Sequence, residues 1–345
     1  MQMTFRWYGP KDRIALDQIR QVPYIDGVVT AVYDIPVGEA WDDAAIAAVQ
    51  RPALEAGLSC EVIESVPVHE EIKLGSDKRD ALIDNYCATI RRLGKAGFKV
   101  ICYNFMPVFD WLRSDLAHKR ADGSTCLSFD EETVLKLDPS KTALSLPGWD
   151  ESYSHEELLG LLERYKSVDE EKLWDNLIYF LQKIIPVCEE VGIKMAIHPD
   201  DPPWGIFGLP RIITGRAALD RLCREVDSPC NGVTLCLGSL GSNPENDLVA
   251  MAAEFAGRDR VPFVHARNVK ITGKNCFEET GHLSREGSLD MRAILAALRE
   301  NGFDGYIRPD HGRNIWGEDG KPGYGLYDRA LGAAYLSGIW EGLER

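Results

Sequence analysis

Residues 305–317 read GYIRPDHGRNIWG. The stretch opens as a strand, with Tyr306 and Ile307 behind a glycine, and then runs into an arginine, an aspartate and a histidine. Burying such a run is costly unless each charge finds a partner. A strand ending in metal-ligand residues suggests that its C-terminal end lies at a site. Similar runs recur upstream: PFVHARNV (262–269), GVTLCLG (232–238), IKMAIHP (193–199), FKVICYNF (98–105), CEVIES (60–65), VVTAVY (28–33) and FRWY (5–8). With GYIRPDH (305–311) they make eight short β-branched or aromatic runs. FRWYGPKD also reads as a loop, so the first is the least defined.

Helical segments lie between most of these runs. DDAAIAAVQRPALEAG opens on two aspartates and closes on Gly57, and DKRDALIDNYCATIRRLGKAG closes on Gly97. Acidic starts and glycine stops are the usual helix punctuation. DEEKLWDNLIYFLQKIIPVCEEVG carries apolar residues at helical spacing, and Pro186 predicts a kink in it. Eight strands alternating with helices predict an α/β fold, a (β/α)8 TIM barrel, as a single domain over residues 1–345. A doubly wound sheet is the rival, and the ligand pattern below tips the balance. One connection breaks the rhythm. Residues 104–168 form a long insertion after strand 4, rich in aromatics, Gly, Pro and Ser. It reads either as a lid over the barrel mouth or as an oligomer contact.

The chain has 345 residues, 45% of them hydrophobic, and a formal net charge of −15. That charge argues against a nucleic-acid partner, which needs a basic face. No apolar run is long enough to span a bilayer, so no membrane partner is expected. The first residues lack the apolar core of a signal peptide. Nine irregularly spaced cysteines without a CxxC pair predict unpaired thiols and a cytoplasmic location.

Strands five to eight each place one ligand-type residue near the C-terminal end: His198, Cys236, His265 and Asp310. Their separations of 38, 29 and 45 residues match one β/α unit each, the longest with an extended loop. In a parallel barrel such ends converge on one mouth. Singly, each has a plainer reading. Cys236 is a small buried hydrophobe, His198 and His265 are hydrogen-bonded core histidines, and Asp310 pairs with an arginine. Four in succession at one level is not something packing requires. The donors suit a closed zinc site, or Mn²⁺ or Fe²⁺ with positions left for substrate oxygens.

Around them, Arg267 shares a strand face with His265 and can fork onto a substrate carboxylate, or instead pair with Asp200 or Asp201. Asn104, closing strand four, is a substrate-binding candidate. His311 follows Asp310 directly, so the two share a site only if the chain turns, for which Gly312 offers the freedom. Beside a metal, His311 is a candidate base. Tyr324, on the loop before the last helix, is a candidate phenolic acid or a packing residue.

IHPDDPP, CLGS, FVHARNV, and RPDHGR with GYGLYDRALGAAYLSGIWE resemble the mannonate dehydratase family of the bacterial glucuronate pathway, as do FRWYGPKDRI and YDIPVGEAW. The resemblance covers essentially the whole chain. It implies a xylose-isomerase-like barrel and conversion of D-mannonate to 2-keto-3-deoxy-D-gluconate and water. It implies one divalent ion, Mn²⁺ with Fe²⁺ or Co²⁺ as alternatives, on His198, Cys236, His265 and Asp310, with His311 and Tyr324 as acid and base. The implied partner is a small sugar acid, and the expected assembly is a homo-oligomer, dimer or tetramer.

This chemistry needs a charge-stabilising cation, a base for the C2 proton and an acid for the departing 3-hydroxyl. A sugar isomerase or epimerase on the same fold is the nearest rival, but those sites rely mainly on carboxylates. An apurinic-site endonuclease would need more histidines and a basic groove. A sugar-acid sensor would have no use for the adjacent Asp310 and His311.

Overall fold

The computed structural model describes residues 1–137 and 153–343. Twelve strands form two sheets. In chain order they are β1 (Gln2–Arg6), β2 (Gly27–Thr30), β3 (Ser59–Glu64), β4 (Val100–Tyr103), β5 (Asp115–Lys119), β6 (Thr125–Asp130), β7 (Lys194–Ile197), β8 (Asn231–Cys236), β9 (Phe263–Ala266), β10 (Val269–Gly273), β11 (Cys276–Glu279) and β12 (Tyr306–Pro309). Eight of them close a barrel in the order β1-β12-β9-β8-β7-β4-β3-β2. All eight pairings around it are parallel. The molecule is therefore a (β/α)8 barrel, and the doubly wound alternative falls.

The eight expected runs each hold one barrel strand. The first is displaced: β1 begins at Gln2 and ends at Arg6, and Trp7 and Tyr8 belong to the loop that follows. Alternation explains the displacement. Met3 and Phe5 face the helical layer, within the main apolar cluster. Inside the barrel, Val29, Val62, Val100, Cys102, Ala196, Phe263 and Tyr306 form a separate small cluster. Their strand neighbours Val28, Ile63, Ile101, Met195 and Val264 belong to the outer cluster, as the period of two requires.

Helix punctuation follows the sequence. Asp42 caps the helix Asp43–Glu55 by accepting from the Ala45 amide at 2.7 Å. Asp169 does the same for Glu170–Val191 through Lys172 at 2.8 Å, and Gly192 ends that helix in the left-handed region with φ of 71°. Pro186 sits inside this helix, which is assigned as one unbroken element.

The remaining four strands form an antiparallel sheet in the order β10-β11-β6-β5. It is assembled from two excursions, one after β4 and one after β9. Phe277 of β11 faces Phe129 of β6 across it, their rings stacked 5.8 Å apart. Of the 104–168 stretch, residues 138–152 lie outside the described residues. From the described part, helix His155–Tyr165 is tied down by Arg164, which forks onto Glu71 at 2.7 and 2.6 Å, and by Tyr165, which donates to Glu70 at 2.6 Å.

Candidate active site

The C-terminal ends of the barrel strands meet at one mouth, around a pocket of about 290 Å³. His198, His265 and Asp310 line it, together with His311 and Tyr324. Cys236 stands just behind the wall, fully buried. One ligand atom each from His198, Cys236 and His265 lies within 4.8 Å of the others. Asp310 flanks this trio, with Oδ2 3.9 Å from the Cys236 sulfur and 4.0 Å from His265 Nδ1. His265 also belongs to a second possible group with Glu64 and Cys102.

Electrostatics separates the two cysteines. Burial pushes both thiols up. At Cys102 burial wins and the thiol stays protonated, with its sulfur accepting from Thr234 at 3.3 Å. At Cys236, Arg267 and His198 overturn the effect of burial and hold the sulfur well below the ordinary thiol range. The thiolate is the metal-binding form. Burial would lower His198, yet the Cys236 thiolate raises it. The His198 Nδ1 is 2.7 Å from the Pro199 carbonyl, so Nδ1–H donates there and Nε2 is the free ligand atom.

The donor set fits a divalent cation on two further observations. Neither ring nitrogen of buried His265 makes a hydrogen bond, although its Nε2 stands 3.3 Å from a Glu64 carboxylate oxygen. Charge is also unbalanced. Arg113, Arg267 and Arg308 pair with Glu64, Asp201, Glu279 and Asp310. With the Cys236 thiolate included, five negative groups face these three guanidiniums, and His198 is drawn toward its charged form as partial compensation.

Asp310 and His311 do share the pocket, because β12 ends at Pro309 and the chain turns there. His311 Nε2 lies 3.9 Å from Asp310 Oδ1. The role of Gly312 differs from the one expected. Its φ is not in the left-handed region. A Cβ there would approach the Asp328 Cβ to 3.2 Å, so glycine permits close packing rather than an unusual turn. His311 is gripped from both sides. Its Nδ1 is 3.0 Å from both Glu279 carboxylate oxygens, and its Nε2 is 2.9 Å from the Tyr324 hydroxyl. Trp111 closes over the ring at 5.3 Å. Burial alone would raise the Glu279 carboxyl, but His311, Arg267 and Arg113 outweigh it and bring it down to about 2. Glu279 is thus ionised and accepts Nδ1–H, which leaves the Nε2 lone pair for the Tyr324 O–H. Burial, first of all, pushes the Tyr324 phenol well above its ordinary range.

Tyr324 is held from behind by Arg329. That buried guanidinium donates to the carbonyls of Gly325 at 2.7 Å, Tyr324 at 2.8 Å and Arg6 at 3.3 Å.

Arg267 corrects an expectation. Its nitrogens already meet Asp201 at 2.6 Å, Glu279 at 2.5 Å and Asp310 at 2.9 Å. No free fork remains for a substrate carboxylate, and the salt-bridge alternative through Asp201 is the one observed. Asp200 pairs with Arg211 instead, at 3.7 Å. Asn104 lines the pocket, and its Oδ1 accepts from the Met106 amide at 3.2 Å. Glu279 was not legible as a site residue, since CFEE (276–279) looks like any acidic strand end.

A family model described as D-mannonate dehydratase (UxuA) matches residues 1–345. A mannonate dehydratase of Streptococcus agalactiae serotype III is 56% identical over 341 residues, 99% of this chain and 98% of its own length. Among solved structures, the mannonate dehydratase of Streptococcus suis serotype 2 superposes with a TM-score of 0.94 at 51% identity, covering 100% of this chain and 95% of that one. An L-ribulose 3-epimerase superposes with a TM-score of 0.57 at 11% identity, covering 100% of this chain and 96% of that one, a likeness of fold alone.

Proposed function

The chain belongs to the D-mannonate dehydratase family, and from that premise we propose how its barrel mouth takes water from D-mannonate to give 2-keto-3-deoxy-D-gluconate. The enzyme is a hydro-lyase. The reaction breaks the C2–H and C3–O bonds, and the resulting enol becomes a ketone at C2 by taking a proton at C3.

One observation carries the proposal. Glu279, His311 and Tyr324 form a continuous hydrogen-bonded chain of 3.0 and 2.9 Å beside the His198, Cys236 and His265 cluster. His311 takes the C2 proton at Nε2. Glu279 keeps Nδ1 protonated and steadies the positive imidazolium that results. The Tyr324 hydroxyl gives its proton to the departing 3-hydroxyl, which leaves as water. Tyr324 then regains a proton from His311 across their 2.9 Å contact, so both residues end as they began.

His198, Cys236, His265 and Asp310 are the proposed ligands of one divalent ion, manganese with iron(II) or cobalt(II) as alternatives. When bound, such an ion supplies Lewis-acid stabilisation of negative charge at the carboxylate end of the substrate. Asn104 is proposed to contact the sugar acid. The described parts of residues 104–168, read together with β10 and β11, are proposed as a lid or an oligomer-contact region on a single barrel domain. No helix among the described residues is long and apolar enough to cross a membrane. The nine free cysteines support a cytoplasmic setting, and a homo-oligomer is the proposed assembly.

The test is incubation of the metal-loaded protein with D-mannonate and chromatography of the products. A 2-keto-3-deoxy acid is expected. No product with Mn²⁺, Fe²⁺ or Co²⁺ overturns the proposal.

A further inference from the structure

Arg6 ends β1 and is 6% exposed, with Nη1 wholly buried and without a hydrogen-bond partner. It lines the same pocket as His198, His265, Asp310 and Tyr324. The register of β1 on β12 pairs Met3 with Ile307, and continuing it sets Arg6 level with Asp310 on the neighbouring strand. Arg113, Arg267 and Arg308 are each committed to carboxylates. Arg6 forms no ion pair among the described residues, and its contacts are with the rings of Tyr8 at 4.8 Å and Tyr33 at 5.9 Å. Lys321 comes to the same Tyr8 ring, with Nζ 4.0 Å from its centre. It too lines the pocket and has no carboxylate partner among the described residues.

Glu64 favours the charge of Arg6 from nearby but is itself paired to Arg308 at 2.9 Å, and a buried guanidinium with no direct ion pair is costly, while its planar fork matches a carboxylate.

We propose that Arg6, supported by Lys321 across Tyr8, is the group that recognises the carboxylate of the substrate and makes the enzyme select sugar acids over their neutral counterparts. The proposal rests on the dehydratase reading above and moves the carboxylate clamp from β9, where Arg267 is fully engaged, to β1.

The test uses the metal-loaded full chain and two probes, D-gluconate and its neutral isostere D-gluconamide, with calorimetric binding at fixed ionic strength. Wild-type protein is expected to prefer gluconate by about 30-fold, the value of one charge-assisted fork. In Arg6→Gln the ratio should fall to within about threefold because gluconate weakens while gluconamide holds. Arg6→Lys, which keeps the charge but loses the fork, should fall between. Metal content and melting temperature of each variant exclude a general loss of structure, and Arg6→Lys serves if Arg6→Gln does not fold. An unchanged ratio in either folded variant overturns the proposal. Turnover of D-mannonate by wild type is scored separately. Absence of turnover with a collapsing ratio overturns the dehydratase reading alone, and turnover with an unchanged ratio overturns the Arg6 assignment alone.

Discussion

Glu279 reaches His311 from outside the barrel: both carboxylate oxygens lie 3.0 Å from the imidazole Nδ1, yet β11 belongs to the separate antiparallel sheet. The group that sets the histidine tautomer is therefore supplied by the second sheet and not by the barrel. Removing it should leave the barrel standing and disable the base.

Glu279→Gln is expected to lower kcat by about 10²-fold, at the lower end of what a positioned base contributes. Some destabilisation accompanies it, since Arg113 and Arg267 lose part of their counter-charge. Steady-state kinetics beside a thermal melt separate the two effects. A folded variant with wild-type kcat removes Glu279 from the chain of proton transfer.

The two proposed proton-transfer groups are told apart by isotope exchange. His311→Asn should abolish uptake of deuterium at C2 from heavy water. Tyr324→Phe should retain that uptake while product formation drops by about 10²–10⁴-fold. The opposite pattern exchanges the two roles.

Metal content distinguishes the two cysteines near His265. Purified Cys236→Ser is expected to lose its metal, because a serine hydroxyl does not ionise where the thiolate does. Cys102→Ser should keep it, as Cys102 is held in its protonated form by burial. Elemental analysis reads both. Full metal in Cys236→Ser rejects the proposed ligand set, and loss only in Cys102→Ser moves the site to Glu64, Cys102 and His265.

The anchor of helix His155–Tyr165 is open to an acid titration. The side-chain hydrogen bond from Arg164, outweighing burial, lowers Glu71 from its ordinary 4.5 to about 2. The folded value is below the unfolded one, so the pair contributes in full above about pH 4.5 and is lost as pH falls toward 2. Arg164 stays 44% exposed, so the contribution is ~1 kcal/mol or less. Melting curves of wild type and Glu71→Gln should differ at pH 7, draw together below about pH 4.5 and converge only near pH 2. A difference that persists in acid rejects the ion pair as its source.

The barrel was legible because each β/α unit repeats one rhythm, and His198, Cys236, His265 and Asp310 were legible because each closes a unit at the same level. What escaped lies where that rhythm stops. Glu279 sits on a sheet built from two excursions about 150 residues apart, and no local period announces it. For Arg267 the sequence offered both a substrate fork and a pairing with Asp200 or Asp201, and nothing local chose between them. Asp201 and Glu279, which occupy it, come from other elements. Arg6 was hidden in an aromatic run, FRWY, whose position in the barrel could not be set by alternation over so few residues.

Arg329 ties the Tyr324 loop to the carbonyl of Arg6, a residue 323 positions earlier in the chain. Contacts of that sequence separation are the last a growing polypeptide can make and among the slowest a refolding one will find. The pocket therefore draws on residues more than 300 positions apart, and no fragment that omits either β1 or the Tyr324 loop contains the tethered phenol.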